Sequence, residues 1–265
     1  MPTNALTRRS AISAIGGSMV GLAGCSTTDG DGGDSGDGNA TDGSDGATLS
    51  EEYPPGVTDD GLDDTQAIVD ATKTALVENG YDVTSTLVSG SAENAIEQRY
   101  RSSLDQKRHF FRFDSSSSTI VSYAESDRTY RKTSQGGETD YASRATEQSI
   151  ADLHTSADIV AMLGSPESLG GILDRGRFVP DAMAEYNGRD VVAFEFDGVV
   201  ADQIQGTIED PSGKLLVSPE GVVFDAALSM TVSSDGNAQA YETTFTINAL
   251  GSVDVQRPSW VGEQF

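Results

Sequence analysis

Two segments near the end of the chain alternate between two kinds of residue with a period of two. A turn-forming run, Ser-Asp-Gly-Asn, separates them at positions 234–237. One side of the pair carries Val222, Phe224, Ala226, Leu228, Met230 and Val232, followed by Tyr241, Thr243, Phe245 and Ile247. The other side is mostly polar. This pattern predicts two long antiparallel strands with one buried and one solvated face. The chain therefore folds around an antiparallel sheet.

The rest of the chain supplies further strands. Short runs rich in β-branched and aromatic residues predict a meander at 81–89, 96–103, 107–114, 119–125, 128–133 and 139–142. Two more strands are predicted at 189–197 and 214–218, next to turns at 210–213 and 219–221.

Helices are fewer. The main one is predicted over 62–79, because Asp63 and Asp64 suit the start of a helix and Asn79 is followed by a glycine. Its apolar positions, Ile68, Ala71, Ala75 and Leu76, form one stripe, so this helix packs on the sheet. Two further helical intervals are predicted at 148–163 and 166–173, and an extended tail at 257–261.

The N-terminal segment is typical of an export signal. Arg8 and Arg9 precede a weakly apolar run at 11–23, and Leu-Ala-Gly leads into Cys25, the only cysteine. The apolar run spans only ~20 Å as a helix, short of the ~30 Å hydrocarbon core. The arginine pair resembles a twin-arginine export signal. The closing sequence Leu-Ala-Gly-Cys at 22–25 resembles the lipobox of lipoproteins. We expect residues 1–24 to be a cleaved signal peptide and Cys25 to carry a lipid.

The segment 25–50 consists almost entirely of Gly, Asp, Ser and Thr. It cannot bury enough apolar surface to fold, so it is predicted to be a disordered linker. Its aspartates lack the closing glutamate of a calcium loop. Asn39 begins a glycosylation sequon, a possible modification site. Residues 51–265 then form a single domain.

The excess of acidic over basic residues limits the classes of molecule that this protein can bind. The chain carries a formal net charge of −25 with 42 acidic residues. A field this negative repels nucleic acid, so no nucleic-acid partner is expected. Acidic excess is also typical of proteins from high-salt cells, where salt screens the repulsion. An acidic surface for a cationic partner is the alternative.

Catalytic motifs are not found in the sequence. The two histidines, His109 and His154, lie in different elements, without a metal-binding pattern around either. No nucleophile elbow, phosphate loop or dinucleotide fingerprint is present. The expectation is therefore no enzyme, no catalytic residue, no metal and no cofactor, with both histidines as ordinary polar positions.

Several motifs together resemble a known group of proteins. The lipobox, the Asp/Gly linker, the sequence Tyr-Pro-Pro-Gly-Val at 53–57 and Arg-Pro-Ser-Trp-Val at 257–261 resemble an uncharacterised family of haloarchaeal surface lipoproteins. The layout of helix, meander and the hairpin around 214–223 is similar to the LolA, LppX and LprG lipoproteins. That resemblance implies an α+β fold with a strongly curved antiparallel sheet, a half-barrel, and helices on its concave face. It also implies an apolar cavity that binds lipid.

The side chains expected to line such a cavity are the inward-facing apolar ones: Phe111, Phe113, Val192, Phe194, Phe196, Phe224, Leu228, Met230, Tyr241, Phe245 and Ile247. The alternative is that they only form a packed core beneath the helix. We expect a lipoprotein anchored through Cys25 on the extracellular face of the cell membrane, a non-enzymatic binder or carrier of a hydrophobic molecule. A structural or protein-interaction lipoprotein with a filled core is the second possibility.

Overall fold

The two alternating segments are neighbouring strands of one large antiparallel sheet. The computed structural model describes residues 53–200, 204–234 and 236–265. In chain order its elements are β1 Val57–Thr58, β2 Gly61–Leu62, α1 Thr65–Glu78, β3 Gly80–Gly90, β4 Ile96–Ser103, β5 Arg108–Asp114, β6 Ser118–Glu125, β7 Arg128–Gln135, β8 Glu138–Ala145, α2 Ile150–His154, α3 Ala157–Gly164, α4 Leu169–Arg175, β9 Gly176–Tyr186, β10 Arg189–Val199, β11 Thr207–Val217, β12 Val223–Ser234, β13 Asn237–Gly251 and α5 Ser259–Gln264.

The sheet consists of two meanders joined along one seam. Within the described residues its strand order is β8-β7-β6-β5-β4-β3-β13-β12-β11-β10-β9. The first meander runs outward from β3 to β8, and the second runs inward from β9 to β13. The seam pairs β13 with β3, where Phe245 lies opposite Ser85 and Ile247 opposite Val83. The two outer strands do not pair with each other, so the sheet is open.

Helices α1, α3 and α4 lie on the concave face of this curved sheet. α1 contacts β3 and β12, α4 contacts β9, β12 and β13, and both α1 and α3 contact α4. The sheet is thus a half-barrel with helices inside it. The predicted α+β fold class is confirmed.

Helix α1 begins and ends close to where its sequence predicts. The carboxylate of Asp64 caps it by accepting a hydrogen bond from the backbone N–H of Ala67 at 3.1 Å. Leu62, predicted to be helical, instead belongs to the short hairpin of β1 and β2. Inside the helix, Thr72 accepts a hydrogen bond from the backbone N–H of Val223 at 3.0 Å. This bond ties the helix to the start of β12.

The convex face is covered over part of its width by the C-terminal tail. Val253, Val255 and Val261 are buried against Tyr123 and Tyr130, which lie on the convex side of β6 and β7. The sequence predicts an extended tail at 257–261, but α5 begins at Ser259, so that prediction is wrong for its second half.

Two other segments differ from the sequence-based predictions. Residues 210–213, predicted to be a turn, lie within β11. Asp210 and Pro211 form a bulge there, since the pairing with β12 skips from Glu209 to Ser212. Strand β9 is not predicted at all. It contains Pro180, which interrupts a strand pattern, and it is tolerated here because β9 is an edge strand.

Candidate functional site

The apolar side chains predicted to face inward divide into three groups. Those buried in the main core are Val192, Phe194, Phe224, Leu228, Met230, Phe245 and Ile247. Phe111, Phe196 and Tyr241 are half-buried and pack against that core. Phe113 is half-buried on β5 and belongs to neither of the hydrophobic clusters in the described part of the chain. Most of the predicted set therefore packs beneath the helices.

Three of these side chains border an open space, which we call the apolar groove. Its floor spans the three adjacent strands β12, β13 and β3, and its volume is about 250 Å³. Cross-strand pairs build this floor: Met230 lies opposite Tyr241, and Leu228 lies opposite Thr243, which in turn lies opposite Leu87. Val232, Ile204, Gln205 and Arg175 complete the lining.

The position of the helices explains the groove. Helix α4 ends at Arg175, which lies at the margin of the groove. Beyond that point the long strands β12 and β13 continue their inward apolar side chains. Where the sheet face stays apolar beyond the end of its covering helix, it forms a shallow hydrophobic binding surface.

A second space lies on the concave face of the other meander, and we call it the His109 cavity. Its volume is about 280 Å³. The floor consists of two cross-strand rows, one running through His109, Ala124, Thr129 and Arg144, the other through Tyr100, Phe111 and Ser122. Residues 145–148, Leu153 and Asp158 close it from the helical side.

His109 is buried in this floor. Its residue is only 7% exposed, and Nδ1 has no partner among the described residues. Burial, with a smaller contribution from His154, lowers the pKa of His109 to about 4. The imidazole is therefore neutral at pH 7, with one ring nitrogen that can donate and one that can accept.

His154 provides the contrast. Its Nε2 donates to the carbonyl oxygen of Val77 at 3.0 Å, so Nδ1 accepts from the hydroxyl of Ser102 at 2.8 Å. The ring also stacks on Tyr81 with a centroid distance of 4.9 Å. Both nitrogens have partners, as expected of a structural histidine.

Charged side chains surround the His109 cavity. Arg144 lies at one end of the floor, and Glu147 and Asp158 lie on the closing side, all three exposed to solvent. Within the described ranges, no ion pair joins the guanidinium to either carboxylate. The charge of Asp158 reaches into the cavity: after burial, it is the second cause that raises the pKa of Tyr100 to about 12.

Several predicted features cannot be compared with the structure. Arg8, Arg9, Cys25 and Asn39 lie outside the described residues, so the export signal, lipidation and glycosylation stay predictions. In the described part of the chain, no cluster of three or more His, Cys, Asp or Glu side chains is arranged to hold a metal ion. The helices of that part are all too short or too polar to cross a membrane.

Sequence comparison identifies the family. Residues 9–264 match the family described as a family of unknown function (DUF7537). The chain belongs to this family. No curated protein matches the sequence.

Some solved structures are similar to this chain. One is lipoprotein LppX of Mycobacterium tuberculosis, with 10% sequence identity and a TM-score of 0.30. The match covers 72% of this chain and 98% of LppX. MucB in complex with MucA(peri) has 12% identity and a TM-score of 0.25, covering 74% of this chain and 60% of that one. The Pseudomonas aeruginosa MucA/MucB complex has 13% identity and a TM-score of 0.28, covering 71% and 58%.

Sequence reasoning did not identify the His109 cavity. It treated His109 as an ordinary polar position, because a single histidine in a strand carries no signal of its own. The cavity depends on five strands being in register and on the segment after β8 folding back over them. The alternation of Thr129, Arg131 and Thr133 along β7 is a detectable hint, because it predicts a polar concave face.

Proposed function

We propose that this protein is a lipid-anchored, exported surface lipoprotein that binds or carries a hydrophobic molecule without catalysing a reaction. The apolar groove is the observation that supports this function. It presents Leu87, Leu228, Met230, Val232 and Tyr241 at an opening in the concave face. The signal-like segment that ends at Cys25 supports the anchor and the location on the extracellular face of the membrane.

A single acyl segment fits the groove better than a polar ligand. Of the nine lining residues, the strand positions are apolar except for Thr243, which is 93% buried. Arg175 lies at one margin and supplies a positive charge in a strongly acidic chain. An amphiphile with an apolar tail and an anionic head is therefore the proposed ligand class.

Binding can be measured on the purified protein with saturated fatty acids of increasing chain length. Since each buried methylene contributes ~0.8 kcal/mol, affinity should rise about fourfold per carbon until the groove is full. Mass spectrometry of organic extracts identifies any lipid that co-purifies. An absence of both co-purifying lipid and chain-length dependence would favour the second candidate, a surface protein with a filled core.

A matched pair of variants locates the site. Val232→Trp fills the groove from its open side and should abolish fatty-acid binding. Thr231→Trp adds the same side chain at the adjacent position of β12, which faces the other side of the sheet, and should leave binding unchanged. Equal effects of the two variants would contradict a ligand in the groove.

The anchor is tested separately. Cys25→Ser removes the only thiol in the chain, and the protein should move from the membrane fraction to the medium. If the variant stays with the membrane, the proposed lipid anchor is wrong, whatever the groove binds.

A further inference from the structure

The concave face contains a second space with a different chemistry from the apolar groove. In the His109 cavity, polar and charged groups surround two aromatic rings: Tyr100 and Phe111, whose centroids are 4.8 Å apart. Ser122, Thr129 and Thr146 also line it. Hydrophobic walls with a few convergent polar groups are typical of a site for a small molecule.

The buried imidazole of His109 forms part of the floor of this cavity. Buried polar side-chain atoms are nearly always hydrogen-bonded, because an unmade bond costs about 1–3 kcal/mol. His109 lines the cavity, is 93% buried, and has no hydrogen-bond partner for Nδ1 in the described part of the chain. By contrast, both ring nitrogens of the neighbouring His154 have hydrogen-bond partners. Because Nδ1 is sealed from solvent, a ligand in the cavity reaches it only after a shift of the surrounding side chains.

The charges define what kind of ligand fits. Arg144 can receive a carboxylate, and its guanidinium can form two parallel hydrogen bonds to it. Glu147 and Asp158 lie on the closing side of the same cavity and can receive an ammonium group. A ligand with one charge would satisfy one side and be repelled by the other. A small zwitterion matches both.

We propose that the His109 cavity binds a small zwitterion of the α-amino acid class. Arg144 holds the carboxylate and Asp158 holds the ammonium group, above a floor that includes the neutral imidazole of His109. The aromatic pair Tyr100 and Phe111 contacts the side chain of the ligand. The cavity volume of about 280 Å³ lies just under the ~300–1,000 Å³ typical of drug-sized ligands, in keeping with a small molecule. The site is separate from the apolar groove and does not depend on lipid binding.

The test uses the full chain and a panel of the common α-amino acids at constant salt. Melting temperature identifies the ligands and calorimetry measures their affinity. Propionate and ethylammonium serve as probes with a single charge. We expect at least one amino acid to bind more than tenfold tighter than either probe. The proposal is overturned if no amino acid binds, or if one of the probes binds equally well.

Variants of Arg144 and Asp158, the two charged residues at the rim of the cavity, distinguish binding at this site from binding elsewhere. Arg144→Gln and Asp158→Asn should each weaken binding by about tenfold or more, since each removes a charge-assisted hydrogen bond. Both side chains are exposed, so the substitutions leave the core intact. Lys132→Gln and Asp140→Asn change the same charges on β7 and β8 outside the cavity lining and should have no effect. If the rim variants behave like these controls, the ligand does not occupy the cavity.

Discussion

The two halves of the sheet differ in where they bury apolar side chains: the C-terminal half buries them on the concave face, whereas the N-terminal half buries some there, Tyr100 and Phe111, and others on the convex face. In the C-terminal half, β9–β13 with β3, the concave face is apolar and lies under α1, α3 and α4. In the N-terminal half, β4–β8, the concave face contains His109, Thr129 and Arg144, and the apolar residues Tyr123 and Tyr130 face the convex side. A half-barrel can therefore keep one part of its concave side polar if another segment covers the convex side.

The strongest test of this comparison is a pair of phenylalanine truncations. Phe245→Ala removes a fully buried ring from the C-terminal half and should lower the free energy of unfolding by about 3–5 kcal/mol. Phe113→Ala removes a half-buried ring from the N-terminal half and should cost less than about 1 kcal/mol. Urea denaturation at fixed salt measures both. Equal losses would mean that the concave face is a core throughout.

The histidines give the next largest effect, through pH. The pKa of His109 is about 4 in the folded protein and near 6.5 when unfolded. The unfolded state therefore binds more protons between these values, so the stabilisation is full above pH 6.5 and is lost as pH falls towards 4. The loss amounts to about 3 kcal/mol.

Substitution separates His109 from the rest of the acid response. His109→Leu removes a buried polar atom without a partner and should flatten the pH dependence at little cost at pH 7. His154→Leu should instead destabilise at pH 7, because it leaves Ser102 and the Val77 carbonyl without their bonds. A steep pH dependence that persists in His109→Leu would show that another group causes it.

The smallest effect concerns the tail on the convex face. Val261 is fully buried against the second cluster, so Val261→Ala should lower the free energy of unfolding by about 2 kcal/mol. Glu263→Ala changes an exposed position of the same helix and serves as the control. No loss in Val261→Ala would mean that the convex side needs no cover.

The sequence predicts this fold where patterns are local. The alternation around Phe224 and Phe245 gives two adjacent strands correctly, and Asp64 caps α1 as expected for its residue type. The bulge at Asp210 and Pro211 is not predictable in this way, because Asp-Pro-Ser-Gly is a turn sequence. Asp210 does adopt a positive φ of 49°, but the pairing with β12 resumes at Ser212 and the strand continues. Local propensity is overruled there by sheet pairing.

The candidate sites depend on contacts that the sequence does not encode locally. Leu228, Met230 and Tyr241 are predicted to face inward, but only the end of α4 determines that they border an open groove. Arg144 and Asp158 line the same cavity only because the segment after β8 folds back over the sheet. The residue pattern of a single sequence predicts which face of the sheet a side chain lies on. It does not predict how far the covering helices extend over that face.

The seam between β3 and β13 has a consequence for how the chain is made. Across it, Asn248 donates a hydrogen bond to the Thr84 hydroxyl at 2.9 Å, although 164 positions separate the two residues. Contacts this distant along the chain form slowly, because a long loop must close first. During translation, β3 leaves the ribosome long before its partner exists, and one of its edges stays open until β13 has been synthesised.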